Sequence, residues 1–185
     1  ERAFSFTPNE FIAIHRKLFA GIYSHAGCFR DYNISKKEWV LNGATVIYGS
    51  ATELNATLDY DLSEEKKFSY KNLSMDEIIH HLALFVSRLW QIHVFGEGNT
   101  RTTAVFFIKY LRTLGFDVTN DIFADNSVYF RNSLGRARTI HFIIGHCMLV
   151  EPLKKKKNLV IENINAQVDL FNPNLSPWKR KRNRR

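Results

Sequence analysis

The chain has 185 residues, 45% of them hydrophobic and 14% aromatic, which is enough to bury one sizeable core. Its formal net charge of +8 is concentrated in two basic runs, at residues 154–157 and 179–185. Outside those runs sixteen basic residues stand against eighteen acidic ones, so the charge of the body does not favour a nucleic-acid-binding protein.

We predict a single domain over residues 1–171, followed by a basic C-terminal tail at residues 172–185. The two cysteines, Cys28 and Cys147, are too few and too far apart in sequence for a disulfide framework. The sequence contains no apolar run near 18 residues and begins with no signal peptide, so we predict no membrane contact. These observations together predict a cytoplasmic protein, with a secreted effector as the alternative.

The first predicted helix begins at a capping box in residues 7–10, with proline at the first helical position. Its apolar face is formed by five residues at helical spacing, Phe11, Ile14, Leu18, Phe19 and Ile22. Residues 38–41 and 45–48 then flank Asn42-Gly43, a dipeptide that suits a tight β-hairpin.

Two further capping boxes predict two more helices, so the fold class is all-α with one small hairpin. The box at residues 50–53 precedes Leu54 and Leu58. The box at residues 74–77 precedes four apolar residues at helical spacing, Ile78, Leu82, Phe85 and Leu89, and this helix should end at His93. An apolar run over residues 105–114 predicts another helix that stops at Gly115.

A polar cluster, residues 93–101, therefore lies in a tight loop between two helices. Unpaired N–H groups at the start of the second helix favour an anion such as phosphate beside Gly98, Asn99 and Thr100. An imidazole with a pKa near 6.5 can accept a proton at neutral pH, and we expect the loop to leave His93 exposed to a substrate. The residue types in this loop are those needed to act on a nucleoside triphosphate.

Residues 93–104 resemble the signature of the Fic family of the Fic/Doc superfamily, which is His-x-Phe-x-Asp/Glu-Gly-Asn-Gly-Arg-x-x-Arg. Six positions match it: His93, Phe95, Glu97, Gly98, Asn99 and Arg101. A second block, residues 22–36, also resembles the family, and the resemblance covers a core of about residues 18–145. It implies a Fic fold, a helical bundle with a small β-hairpin flap.

The resemblance also implies an activity, the transfer of AMP from ATP to a Ser, Thr or Tyr hydroxyl of a target protein in the presence of Mg²⁺. His93 would be the general base, and Glu97 would hold the Mg²⁺ ion. Gly98, Asn99, Thr100 and Arg101 would bind the phosphates, with Arg101 also acting in catalysis.

Further implied features lie outside the signature. A target would dock on a flap that includes Val46, Ile47 and Tyr48. Glu162, in a degenerate match to an inhibitory helix, is the candidate for autoinhibition, and an antitoxin or other regulator is a further implied partner.

Three departures from the signature keep alternatives open. Val94 replaces a proline, Thr100 replaces a glycine, and Ala104 replaces a second arginine that would contact the terminal phosphates. The run at residues 99–104 resembles the Doc branch, which implies phosphate transfer, so a phosphotransferase or the use of another nucleotide donor is the first alternative. The second alternative is a protein without catalytic activity that binds nucleic acid through its basic runs.

Overall fold

The structure, a computed structural model, describes residues 4–37, 43 and 45–134. Both basic runs, the tail, Cys147 and Glu162 lie outside the described residues, as does the boundary predicted at residue 171. Within this part of the chain, six helices and a two-stranded antiparallel sheet confirm the predicted fold class. No helix in these residues combines the length and the apolar character needed to cross a membrane.

The helices and strands follow one another in a simple order along the chain. They are α1 (Pro8–Phe19), β1 (Ser35–Lys37), β2 (Thr45–Ile47), α2 (Leu54–Lys67), α3 (Met75–Ile92), α4 (Asn99–Thr113), α5 (Asp121–Asp125) and α6 (Ser127–Leu134). Helix α3 is central, because α2, α4 and α6 all pack against it, while α1 packs on α4. The loop at residues 93–98 connects α3 to α4 and therefore lies at one end of the packed core.

The predicted start and end of α3 are confirmed. Ser74 caps the helix in a complete capping box with Glu77, and His93 is the C-cap residue. The four predicted apolar positions are fully or almost fully buried, between 0% and 1% exposed. Helix α4 ends where predicted, with Gly115 in the left-handed region at φ +92°.

Helix α1 is shorter than its sequence pattern predicts. Thr7 caps it as expected, accepting a hydrogen bond from the Glu10 N–H at 3.3 Å. The helix ends at Phe19, however, and Gly21 turns the chain at φ +76°, so Ile22 is 65% exposed instead of packing in the core. The inclusion of Ile22 in the apolar face was wrong, as was that of Leu18, which is 37% exposed.

The capping box predicted at residues 50–53 is also wrong. Ser50 Oγ lies 3.0 Å from Thr52 Oγ1 and caps nothing, and α2 begins at Leu54, where Glu53 provides no side-chain cap. Leu54 and Leu58 are nevertheless buried as predicted, because burial depends on their helical spacing and not on the cap.

In the observed hairpin, β2 pairs with residues that precede the predicted first strand. Lys37 pairs with Thr45, and Ser35 pairs with Ile47. The first predicted strand, residues 38–41, lies outside the described residues. A hydrogen bond from the Tyr48 N–H to the Ile34 carbonyl continues the observed register toward the core.

Candidate functional site

His93 lies where α3 ends, but it is buried and not exposed as expected. Its backbone is in the left-handed region at φ +56°, and only 7% of the residue is exposed. The imidazole stacks on Tyr48 with ring centroids 4.0 Å apart and meets Trp90 edge to face at 5.5 Å. Tyr48, which follows β2, covers the imidazole. This contact with a residue distant in sequence is why His93 is buried, although a loop position was expected to expose it. Nδ1 is enclosed without a hydrogen bond to any described residue, which leaves Nε2 as the nitrogen that can accept a proton from a bound molecule when the ring proton is on Nδ1.

Burial, together with the positive charges of Lys36, Arg30 and Arg131, lowers the pKa of His93 to about 4. The expected value near 6.5 was therefore wrong for this imidazole. At neutral pH His93 is uncharged, which is the form that a general base requires.

The same pKa predicts how stability depends on pH. The folded protein disfavours the charged ring, so the unfolded state binds one more proton between pH 6.5 and 4, and the free energy of unfolding falls by about 3 kcal/mol as the pH is lowered through this window. Urea unfolding at pH 7 and pH 4.5 should therefore show a steeper loss for the wild type than for His93→Gln, which cannot titrate. Equal losses in the two proteins would contradict the low pKa.

The loop between His93 and α4 is held by its own side chains. Asn99 accepts a hydrogen bond from the Phe95 N–H at 2.9 Å and donates one to the Phe95 carbonyl at 2.7 Å. Phe95 is fully buried, as its predicted anchoring role requires. Because the Asn99 amide is used in this way, the group that it can offer to an anion is its backbone N–H.

His15 also clamps this loop, and no sequence pattern pointed to it beyond its place on the apolar face of α1. The ring stacks on Phe95 with centroids 3.7 Å apart. Nδ1 accepts a hydrogen bond from the Gly27 N–H at 2.8 Å, so Nε2 carries the proton and donates to the Glu97 carbonyl at 3.1 Å. Burial lowers the pKa of His15, which keeps the ring in this neutral form.

Arg30 is the second residue that sequence reasoning missed, although it lies in the block at residues 22–36. It is 5% exposed, and its guanidinium donates to the carbonyls of His93 at 2.7 Å, Ile92 at 3.4 Å, Tyr32 and Gly49. Its backbone N–H donates to the Val94 carbonyl at 3.0 Å. One side chain thus joins the end of α3 to the segments on both sides of the hairpin.

A cavity of about 210 Å³ opens beside His93. Every residue predicted to act in the signature loop lines it: His93, Glu97, Gly98, Asn99, Thr100 and Arg101. Lys36, Tyr48, Trp90 and Arg131 complete its walls. Val46 and Ile47 do not line it, so of the predicted flap residues only Tyr48 reaches the cavity.

The wall formed by the start of α4 suits an anion. Gly98 caps the helix at φ +78°, and its carbonyl accepts the first intrahelical bond, from the Thr102 N–H at 3.0 Å. The N–H groups of residues 99–101 precede that bond and have no partner within the helix. Thr100 accepts a hydrogen bond from the Trp90 indole at 3.0 Å, and the Arg101 guanidinium lies 4.5 Å from the Phe19 ring centroid.

Among the described residues that line the cavity, Glu97 provides the only carboxylate. Residues 4–37, 43 and 45–134 contain no group of three or more His, Cys, Asp or Glu side chains placed to bind a metal. A preformed metal cage is therefore absent from this part of the chain. One exposed carboxylate nevertheless fits Mg²⁺, which commonly takes one or two carboxylates together with substrate phosphates and water.

The sequence profile of the Fic/DOC family matches residues 5–111, more than half of the chain. The chain belongs to the Fic/DOC family. The matched residues include the block at residues 22–36 and the whole signature at residues 93–104, and the resemblance inferred from the signature is confirmed.

Similarity to individual Fic proteins extends over most of this chain. The protein adenylyltransferase VbhT of Bartonella schoenbuchensis is 26% identical over 157 residues, which are 85% of this chain but only 30% of VbhT. The N-terminal Fic domain of an effector protein from Bartonella sp. AR 15-3 has a TM-score of 0.58 at 16% identity, covering 78% of this chain and 72% of that one. BepC of Bartonella tribocorum, solved with bound AMPPNP, has a TM-score of 0.57 at 17% identity, covering 77% and 74%. These structures confirm the Fic fold.

Proposed function

We propose that this protein is an adenylyltransferase, which transfers AMP from ATP to a hydroxyl group of another protein. The observation that carries the proposal is the arrangement of the cavity. A neutral, buried His93 lies at one wall, and the open start of α4, with Glu97 and Arg101, forms another. A base and an anion-binding surface thus face the same space of about 210 Å³.

In the proposed reaction, Nε2 of His93 takes the proton of the acceptor hydroxyl. The hydroxyl oxygen then bonds to the α-phosphorus of ATP, the bond from that phosphorus to the oxygen bridging to the β-phosphate breaks, and pyrophosphate leaves. The N–H groups of residues 99–101 and the Arg101 guanidinium stabilise the negative charge on the phosphates.

Glu97 is the residue that would hold Mg²⁺, which when bound neutralises phosphate charge. Its main-chain carbonyl is fixed by His15, so the start of its side chain has a defined position even though the carboxylate is exposed.

Two relatives support the nucleotide and the group transferred. VbhT is named as a protein adenylyltransferase, and BepC was solved with AMPPNP. The chain spans less than a third of the length of VbhT, so the activity is proposed for the shared Fic region. We infer that this region belongs to one domain over residues 1–171, and that it acts in a cytoplasm, where ATP and Mg²⁺ are available.

We infer that the target protein docks along β2. Val46 is half-buried and packs against the core, whereas Ile47 is 77% exposed and leaves an apolar side chain for a partner. An extended segment of the target can add to a strand edge by main-chain hydrogen bonds. Tyr48, which covers His93, links this strand to the cavity.

The proposal is tested with ATP labelled separately at the α- and γ-phosphates, incubated with the protein, Mg²⁺ and a cell lysate as the source of acceptors. We expect the α-label on protein, and its loss both with EDTA and in Glu97→Ala. Transfer of the γ-label alone would show phosphate transfer, the alternative favoured by Thr100 and Ala104. Transfer of neither label from any nucleoside triphosphate would contradict the proposal.

A further inference from the structure

Two cations from elements other than α4, Lys36 and Arg131, also line the cavity. Lys36 of β1 lies on the inward face of the hairpin, because its cross-strand partner Val46 and Ile34, two residues before it on the same face, both pack against the core. Lys37 points to the other face. Lys36 is therefore the β1 residue that lines the cavity.

Arg131 of α6 is the second of these cations. Helix α6 is fixed to α3, where the Ser87 hydroxyl donates a hydrogen bond to the Leu134 carbonyl at 2.7 Å. Arg131 is half-buried, lines the cavity and donates from Nη1 to Asn132 Oδ1 at 3.2 Å. Both Lys36 and Arg131 lower the pKa of His93, which places their charges within electrostatic reach of the base.

The charged residues that line the cavity favour a ligand with more than one phosphate. Within the described part of the chain, Lys36, Arg101 and Arg131 oppose one carboxylate, Glu97, in a cavity that also includes an open helix start. Position 104, where the Fic signature has its second arginine, is occupied by Ala104, which is 7% exposed and belongs to the hydrophobic core. On α4, therefore, Arg101 is the cation of the lining.

We propose that Lys36 and Arg131 together form a second phosphate-binding contact, separate from Arg101, which binds the terminal phosphates of the nucleotide. The inference rests on the proposed function, since it requires a nucleoside triphosphate in this cavity. The guanidinium of Arg131 suits two phosphate oxygens at once, and Lys36 adds a single point charge from the hairpin.

The test compares the affinities for ATP and AMP by titration calorimetry with Mg²⁺ and without an acceptor protein. Arg131→Ala should weaken ATP binding by about tenfold to a hundredfold, and Lys36→Ala by about threefold to tenfold. AMP lacks the terminal phosphates, so its affinity should change by less than about threefold. Lys37→Ala and Arg88→Ala remove exposed charges outside the cavity and should leave both affinities unchanged.

Arg131→Lys provides a variant that keeps the charge and most of the packing. Its ATP affinity should lie between those of the wild type and Arg131→Ala, and its thermal unfolding should match that of the wild type. An unchanged affinity for ATP, or an equal loss for ATP and AMP, would overturn the inference. If the wild type transfers the α-label while these variants bind ATP normally, only this inference fails, whereas a wild type that binds no nucleotide would overturn the proposed function as well.

Discussion

Replacing His93 by alanine is expected to lower the rate of AMP transfer by about 10²- to 10⁴-fold, the usual contribution of a general base. The Kd for ATP should change by less than about threefold, because the imidazole moves a proton and does not hold phosphate. The rate of α-label incorporation at saturating ATP, together with calorimetric titration, measures the two effects separately.

His93→Gln is the matched control for this experiment, because it keeps a side chain of similar size against Tyr48 but cannot act as a base at neutral pH. It should lose as much activity as His93→Ala. Loss of the stacked ring should also lower the stability of the alanine variant by about 1 kcal/mol. A turnover close to that of the wild type in either variant would show that another group takes the proton.

Replacing Arg30 by alanine is expected to destabilise the protein by about 3–5 kcal/mol, because four carbonyls lose a charged donor in a buried place. For a chain of this size, that corresponds to a fall in the thermal midpoint of roughly 10 °C. Arg30→Lys should recover only a small part of this loss, since an ammonium group cannot reproduce the planar fork that reaches both His93 and Gly49.

Thermal unfolding monitored by circular dichroism measures this effect, and Lys37→Ala is its control, because Lys37 is exposed and its loss should change stability by less than about 0.5 kcal/mol. AMP transfer should fall in Arg30→Ala even below its unfolding temperature, since the His93 carbonyl would no longer be fixed. A midpoint equal to that of the wild type would mean that water can replace the guanidinium.

The features predicted correctly from the sequence depend on neighbours within a few residues. The capping box at Ser74 and the helix stop at Gly115 form through contacts with the nearby backbone. The residue types at these positions therefore predict the helix ends without knowledge of the fold. The spacing of apolar residues in α3 likewise predicted which side chains are buried. For the same reason the position of His93 at the end of α3 followed from the sequence.

The features that were missed depend on distant contacts. Arg30 bonds to the carbonyls of residues 62 and 63 positions further along the chain, and His93 is covered by Tyr48 from the hairpin. The low pKa of His93 follows from that cover, and no local pattern encodes it. The pairing of residues 35–37 with β2 was missed for the same reason, because Ile34 and Tyr48, which are joined by a backbone hydrogen bond next to these strands, pack against the distant core.

The clamps on the loop at residues 93–98 have a thermodynamic consequence for the ligand. Arg30, Asn99 and His15 hold the carbonyls of His93, Phe95 and Glu97 through contacts within the protein itself. Ordering the backbone of one residue costs about 1–2 kcal/mol of conformational entropy, and for this loop that cost is met when the chain folds. A nucleotide therefore meets a rigid receptor, and its contacts with this loop contribute to affinity without an entropic penalty for ordering the loop.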